Sequence, residues 1–296
     1  MNLRMITMTS MCSLFAGALG ACGDGSAKGS ATIFVESEET ITGGLKPGTD
    51  LENIKDGWTV IYSKFVIGLG NVHAGKSADA KATLTEPKIQ VINLQSLPAA
   101  GLVLAEWSGI AEGRWDKVGY DQAYVTASSV AAPGTAAADV AAMAGTGASL
   151  WIAGSITKGA KTVTFDWPLK SGVAWSDCGP EMGDKGFAVP AGGTVQVKAT
   201  IHGDHWFFNN FPEGAETTDR LAEWVATVDT MTGADGKVSV DDLKAVPAAM
   251  VFPAGMYSLS NQLGETITTA LDFVQTQART IGHLQGEGEC STLKKL

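Results

Sequence analysis

Basic residues, histidine and cysteine are scarce in this chain. Its 296 residues include 21 Lys and Arg against 31 Asp and Glu, with 4 His and 4 Cys, and the formal net charge is −10. Because this charge opposes binding to phosphate backbones and anionic headgroups, we expect neither nucleic acid nor an anionic lipid surface as a partner. Beyond the N-terminal segment no run reaches the roughly 18 apolar residues of a spanning helix, so no transmembrane helix is predicted.

Several catalytic signatures are also absent. The chain contains neither the GxSxG turn of serine hydrolases nor the HExxH helix of zinc proteases. Residues 70–77 do match the phosphate-loop pattern GxxxxGK(S/T). No amphipathic helix follows this stretch, and no apolar strand ends in a magnesium-binding Asp, so we reject nucleotide binding.

Residues 1–22 carry a recognisable motif. Arg4 precedes the mostly apolar residues 5–18, a segment too short to span a bilayer, and Leu19-Gly20-Ala21-Cys22 closes it. This pattern resembles the lipobox of bacterial lipoproteins, where cleavage precedes the cysteine and a lipid is attached to it. The resemblance implies a signal peptide at 1–21, a lipidated Cys22 and a flexible tether over 22–31. An ordinary secretory signal is the alternative.

The same resemblance implies a location. The chain is expected in the cell envelope, held to the membrane through its N-terminal lipid. Gly23 stands where an aspartate retains some lipoproteins at the inner membrane, which favours the outer membrane. A protein or glycan partner is not identified by the sequence.

The cysteines agree with export. Cys12 leaves with the signal peptide and Cys22 is acylated, so Cys178 and Cys290 remain as one pair in an oxidising compartment. We predict a disulfide between them, which would contribute about 4–5 kcal/mol by restricting the unfolded chain. Two separate thiols are the alternative.

Short runs of β-branched and aromatic residues, cut by Gly, Pro, Asn and Asp, fill the region 32–212. The clearest is Thr194–Ile201, in which apolar and polar residues alternate. The pattern predicts an antiparallel β-sandwich or open barrel. The Ala- and Gly-rich residues 127–149 are expected to form a surface excursion with one helical turn near 136–144. The other predicted strands are 58–62, 64–67, 88–94, 150–156 and 162–167.

The hydrophobic period changes to 3.6 in residues 213–296, which predicts helices. One stripe runs from Leu221 to Val228, and a longer one from Leu263 to Ile281, with Ser260 as N-cap and Gly282 just past the end. The expected fold class is therefore mainly β with C-terminal helices (α+β). A β-sandwich-like domain (32–212) precedes a helical segment (213–296) that the disulfide links to it.

Histidine is the residue type that suggests chemistry. Two histidines flank Asp204 directly after the alternating strand, and a third follows the last predicted helix. A turn at Gly203 would let the first two bind one ion, although a continued strand would point them to opposite faces. Imidazole and carboxylate donors suit zinc or copper. Structural, hydrogen-bonded histidines are the alternative. The predicted ligands are His202, Asp204, His205, His283, Glu287 and His73, with Glu289 nearby.

Residues 229–243 resemble an EF-hand loop in their second half. Asp235-Gly236 match the fifth and sixth loop positions and Asp242 the last. The first and third positions fall on Met231 and Gly233, so two carboxylates are missing unless an inserted pair of residues lets Asp229 take the first role. The resemblance implies weak calcium binding through Asp229, Asp235 and Asp242; a solvated acidic turn is the alternative.

Three functions follow in order of preference. The first is a non-enzymatic envelope lipoprotein that binds zinc or copper through the segment 202–205, with help from His283. The second is a surface interaction or structural lipoprotein without metal chemistry, in which tryptophans or Ala/Gly loops contact a partner. The third is a zinc-dependent hydrolase.

Overall fold

The computed structural model describes residues 27–211 and 218–296. The predicted signal peptide, the lipidated Cys22, most of the tether and the predicted domain boundary at 212–213 lie outside the described residues. Strands account for 44% and helices for 17%, in several sheets that do not close into a barrel. The expected class, mainly β with C-terminal helices, is confirmed.

The strands are numbered in chain order. They are β1 (Lys28–Val35), β2 (Thr59–Lys76), β3 (Asp79–Glu86), β4 (Gln90–Asn93), β5 (Leu102–Ala111), β6 (Gly113–Trp115), β7 (Lys117–Gln122), β8 (Val130–Ala131), β9 (Leu150–Lys158), β10 (Lys161–Leu169), β11 (Val173–Cys178), β12 (Phe187–Val189), β13 (Thr194–Ile201), β14 (Lys237–Ser239), β15 (Gly282–Leu284) and β16 (Cys290–Lys295).

The helices are short. They are α1 (Glu39–Thr42), α2 (Ala137–Thr146), α3 (Glu223–Thr232), α4 (Val240–Ala245), α5 (Ala248–Val251) and α6 (Ala270–Gln277), with one 3-10 helix at His205–Phe207. Within the described residues, no helix has the length and apolar character needed to cross a membrane.

The candidate site lies beside a four-stranded sheet, where the ends of three of its strands meet. Its strand order is β15-β13-β1-β5. β1 and β13 run parallel, with Val35 opposite Ala199, whereas β15 runs antiparallel to β13, with His283 opposite Thr200. The carboxyl ends of β1 and β13 and the amino end of β15 therefore lie at one edge of this sheet.

A ten-stranded sheet is organised around the long strand β2, which pairs with β3, β4, β7 and β9. The main core contains apolar side chains from both sheets, with buried aromatic residues from the ten-stranded sheet and the helices, including Trp167, Trp206 and Trp224. Most strand pairs are antiparallel as expected, but β1–β13, β4–β8 and β10–β14 are parallel. All the predicted strands are found; the first two are parts of β2.

The C-terminal segment is helical only in part. Its first predicted stripe is α3, which buries Trp224, Val225 and Val228. The second stripe is helical only over α6, which begins at Thr269 rather than Ser260 because Thr269 and Asp272 form a capping box. The residues before it, from 260 to 268, are not helical, since Gly264 has a φ of +64° and a β-branched run follows at 266–269. Gly282 begins β15 instead of ending a helix.

The Ala-rich excursion forms the ten-residue helix α2, longer than the predicted turn. It ends where Gly147 adopts a left-handed φ of +69°. Its Met143 fills a small second core with Val66, Val91 and Val125.

The predicted disulfide is present. Cys178 and Cys290 are directly opposed on β11 and β16, and both are buried. The bond ties the chain that follows β15 to the large sheet.

Candidate metal centre

Three histidines meet at the shared edge of the four-stranded sheet. His202 follows β13, His205 begins the 3-10 helix, and His283 lies in β15. The ring centroids of His202 and His283 are 4.4 Å apart, those of His205 and His283 5.3 Å, and those of His202 and His205 5.4 Å. The structure thus brings together the three histidines that the sequence analysis grouped.

A turn at Gly203 explains why His202 and His205 share one side. A Cβ at Gly203 would meet Ile41 Cγ1 at 2.7 Å, so a side chain would require Ile41 to move. Phe207 N then donates to Asp204 O at 2.8 Å, which closes the 3-10 turn. The strand ends at Ile201, and the alternation that would separate the two histidines does not continue.

The cluster is buried. His202, His205 and His283 are 6%, 3% and 4% exposed, and Asp204 is fully buried. One ligand atom from each of His202, Asp204 and His205 can be chosen so that all three lie within 4.8 Å of one another. Donor atoms at these separations need only small side-chain movements to reach one ion at about 2 Å.

Polar atoms without partners are concentrated at this point. Within the described residues, nine buried side-chain nitrogen or oxygen atoms make no hydrogen bond, and four of them belong to this cluster. They are His202 Nε2, Asp204 Oδ1 and both ring nitrogens of His283. Each unpartnered buried polar atom costs about 1–3 kcal/mol, so a partner shared by His202 Nε2, Asp204 Oδ1 and one nitrogen of His283 would stabilise the fold.

Contacts at Nδ1 engage one nitrogen of two of the rings. Thr280 Oγ1 donates to Gln277 O at 2.8 Å, so its oxygen accepts from His205 Nδ1 at 2.7 Å. His205 therefore carries its proton on Nδ1 and presents the lone pair of Nε2. His202 Nδ1 lies 3.3 Å from Glu38 Oε2, a contact of the kind found in carboxylate–histidine–metal arrangements.

The histidines are poor bases here. Burial lowers the pKa of His205 well below its usual value, and the rings of His283 and His202 lower it further. Burial lowers the pKa of His283 to about 3; His202 adds to this shift, whereas nearby backbone carbonyls of Glu287 and Thr280 oppose it. These two rings are neutral at pH 7, which is the state that binds a metal.

Asp204 is held by an arginine. Arg220 Nε donates to Asp204 Oδ2 at 2.6 Å, and both side chains are largely buried. Arg220 also donates to Leu51 O and lies over the ring of Phe208. The carboxyl group is therefore oriented, with Oδ1 left for a cation.

Three glutamates surround the rings. Glu287 Oε2 is 3.8 Å from His202 Nε2, and Glu289 Oε1 is 4.0 Å from His283 Nδ1. Burial raises the pKa of Glu38 to about 7; His202 opposes the shift, while the Glu287 and Asp204 carboxylates add to it. A bound cation would relieve this crowding of negative charge.

An open cleft of about 540 Å³ reaches the cluster from one side, where His202 and Asp204 form part of its wall. Its remaining charged lining consists of Glu38, Glu39, Glu52, Glu287, Lys198 and Arg220.

His73 is not part of the cluster. It lies in β2, its Nδ1 is 3.1 Å from Asn71 O, and it lines a different groove with Leu84 and Lys117. Residues 70–76 of the phosphate-loop pattern are strand β2, paired with β3 and β7, rather than a loop.

The acidic residues of the EF-hand-like loop bond to the loop itself. Asp229, in the last part of α3, accepts from Gly236 N at 2.8 Å through Oδ1. Asp235 Oδ1 accepts from Lys237 N, and Asp242 Oδ2 accepts from the amide and hydroxyl of Ser239. The segment contains α3, β14 and α4 in that order, and both the EF-hand resemblance and calcium binding stay predictions.

Sequence reasoning missed Glu38, Thr280 and Arg220. Glu38 lies 164 positions from His202 along the chain, and only the parallel pairing of β1 with β13 brings it close. Its neighbours Ser37 and Glu39 are polar, a local pattern that is typical of a solvent-exposed turn. No local signal in the sequence distinguishes any of the three.

Comparison with known proteins adds nothing to this geometry. No protein-family model matches the chain, and neither a curated protein nor a solved structure shows significant similarity to it.

Proposed function

We propose that this protein is a non-enzymatic, lipid-anchored protein of the bacterial cell envelope that binds one zinc or copper ion through His202, His205 and His283, with Asp204 as a further ligand. The observation that carries the proposal is that one donor atom from each of His202, Asp204 and His205 lies within 4.8 Å of the others, with the His283 ring beside them. Two buried atoms of this group, His202 Nε2 and Asp204 Oδ1, make no hydrogen bond, and a metal ion would supply the missing partner for both.

The donor set supports a transition metal. Calcium and magnesium prefer oxygen ligands, whereas three imidazoles with one carboxylate suit zinc or copper. Nε2 of His202 and His205 would bind the ion, because Glu38 and Thr280 engage the other nitrogen of each ring. Arg220 would keep Asp204 in place.

The envelope location is supported by two features of the chain. The motif that ends at Cys22 resembles a lipobox, and the Cys178–Cys290 disulfide is typical of proteins that fold in an oxidising compartment.

Metal analysis by inductively coupled plasma mass spectrometry tests the proposal. The purified full chain is equilibrated with zinc or copper, passed through a desalting column and analysed. We expect near-stoichiometric metal in the wild type and loss of most of it in His202→Ala/His205→Ala. His73→Ala is the matched control, because it removes the histidine that lies outside the cluster, and it should retain the metal.

Two results would contradict the proposal. One is a wild-type protein that binds neither metal. The other is metal content that the double substitution leaves unchanged while circular dichroism shows an intact fold.

A further inference from the structure

The cleft brings solvent to one side of the candidate metal centre. Structural zinc sites are shielded from solvent by the protein, whereas exchangeable and catalytic sites keep an open side. Here His202 and Asp204 are part of the cleft wall, and the unpartnered His202 Nε2 lies 3.8 Å from Glu287, which also lines the cleft. This nitrogen is itself buried, so it lies directly behind the cleft wall, next to the Glu287 carboxylate.

The cleft carries a charge suited to cations. Its lining contains five carboxylates and two basic side chains, and one of the latter, Arg220, is committed to Asp204. Walls with an excess of one sign concentrate ions of the opposite sign and raise association rates by about 10–10³-fold. Salt screens this effect over about 10 Å at 0.1 M ionic strength.

Glu287 connects solvent with the buried ring. Its side chain is 67% exposed, yet its Oε2 approaches His202 Nε2. It lies within a tight turn that Leu284 N closes by donating to Gly288 O, and in which Gln285 and Gly286 have φ values of +59° and +94°. A carboxylate in this position can hold an ion that has left water before the imidazole takes it.

We infer that a hydrated divalent cation enters and leaves the centre through this cleft, with Glu287 as the carboxylate that exchanges it, so that the protein captures and releases its metal reversibly. The inference rests on the proposed function, since it requires that the histidines bind a metal. It assigns the chain to the carriers of a divalent transition-metal ion rather than to proteins with a permanent structural zinc.

Stopped-flow measurements with Zn²⁺ alone test the access route. Association is followed by competition with a chromophoric chelator, and release by transfer of zinc to excess chelator. We expect Glu287→Gln to slow association and release by about tenfold each, with an equilibrium Kd within about threefold of wild type. Glu39→Gln/Glu52→Gln, which neutralises the rim, should slow association by a few-fold at 20 mM salt and have no effect at 0.5 M.

Glu106→Gln is the matched control, because Glu106 is an exposed glutamate of β5 outside the cleft. It should leave both rates unchanged.

The outcomes separate the two proposals. Absence of zinc uptake by the wild type at equilibrium would overturn the proposed function itself. Full uptake with unchanged rates in Glu287→Gln would overturn only the access route. A weaker Kd that comes wholly from faster release would overturn it as well, because Glu287 would then be a permanent ligand.

Discussion

Removing the disulfide should cost more stability than any single contact in the molecule. Cys178 and Cys290 are 112 positions apart, so their bond closes a loop that contains much of the fold. The loop-entropy relation gives a stabilisation of about 5 kcal/mol for this separation. Cys178→Ala/Cys290→Ala should lower the free energy of unfolding by that amount and the Tm by about 10–20 °C.

The metal centre should survive the same change. His283 is held by pairing of β15 with β13 and by Tyr120, whose hydroxyl donates to His283 O at 2.6 Å. Zinc stoichiometry should therefore stay near that of the wild type, while Glu287 and Glu289, on the stretch between β15 and the disulfide, lose one anchor.

Urea denaturation with EDTA present measures the effect, with the oxidised wild type as reference. A loss below about 1 kcal/mol would refute the reasoning, since it would mean that the unfolded chain gains little freedom or that the bond strains the native state. A loss of all zinc binding by a folded variant would refute the second expectation.

Three further predictions concern single side chains. Thr280→Val should weaken zinc binding by about 10–100-fold in chelator competition, because the Nδ1 proton of His205 loses its acceptor. Thr280→Ser keeps the hydroxyl and should bind zinc as the wild type does. Equal zinc affinities of Thr280→Val and the wild type would contradict this prediction. Arg220→Met should destabilise the metal-free protein by about 3–5 kcal/mol, because it leaves the buried carboxylate of Asp204 uncompensated. Saturating zinc should recover part of this loss. A loss of stability below about 1 kcal/mol would refute the prediction. Asp242→Asn should cost about 1 kcal/mol at pH 7. The Ser239 hydroxyl holds the pKa of Asp242 below 3.8 in the folded state, so this stabilisation is present above the unfolded pKa and should vanish as the pH falls through the folded pKa. Denaturation curves at pH 7 and about pH 2 measure the cost of the substitution. An equal cost at both pH values would contradict the prediction.

Local patterns in the sequence predicted five of the sixteen strands in the described residues, namely β2, β4, β9, β10 and β13, and the start of the helical region. Alternation located Thr194–Ile201 to the residue, and the 3.6 period located α3. The long stripe at 263–281 predicted a helix that starts too early. Hydrophobic spacing alone does not register the left-handed conformation of Gly264 or the capping box at Thr269, and both place the start of α6 after the stripe begins. Terminal signals of this kind decide where a helix begins when the period fits a longer one.

The sequence indicated which histidines form the cluster, but not how they are arranged in space. Rarity of the residue type and the spacing of His202, Asp204 and His205 drew attention to them, yet a strand pattern places the two histidines on opposite faces. What reconciles them is Gly203, whose missing side chain lets the turn pass against Ile41.

The surroundings of the cluster depend on the direction of strand pairing, which leaves no mark in a local sequence. Val35 is opposite Ala199 in the parallel pair, so Glu38 and His202, each three residues further on, reach the same level beyond the sheet edge. An antiparallel pairing of β1, the kind of pairing expected from the sequence, would carry Glu38 to the opposite end of β13, away from His202. A parallel pairing between strands more than 150 residues apart therefore places the Glu38 carboxyl group beside Nδ1 of His202.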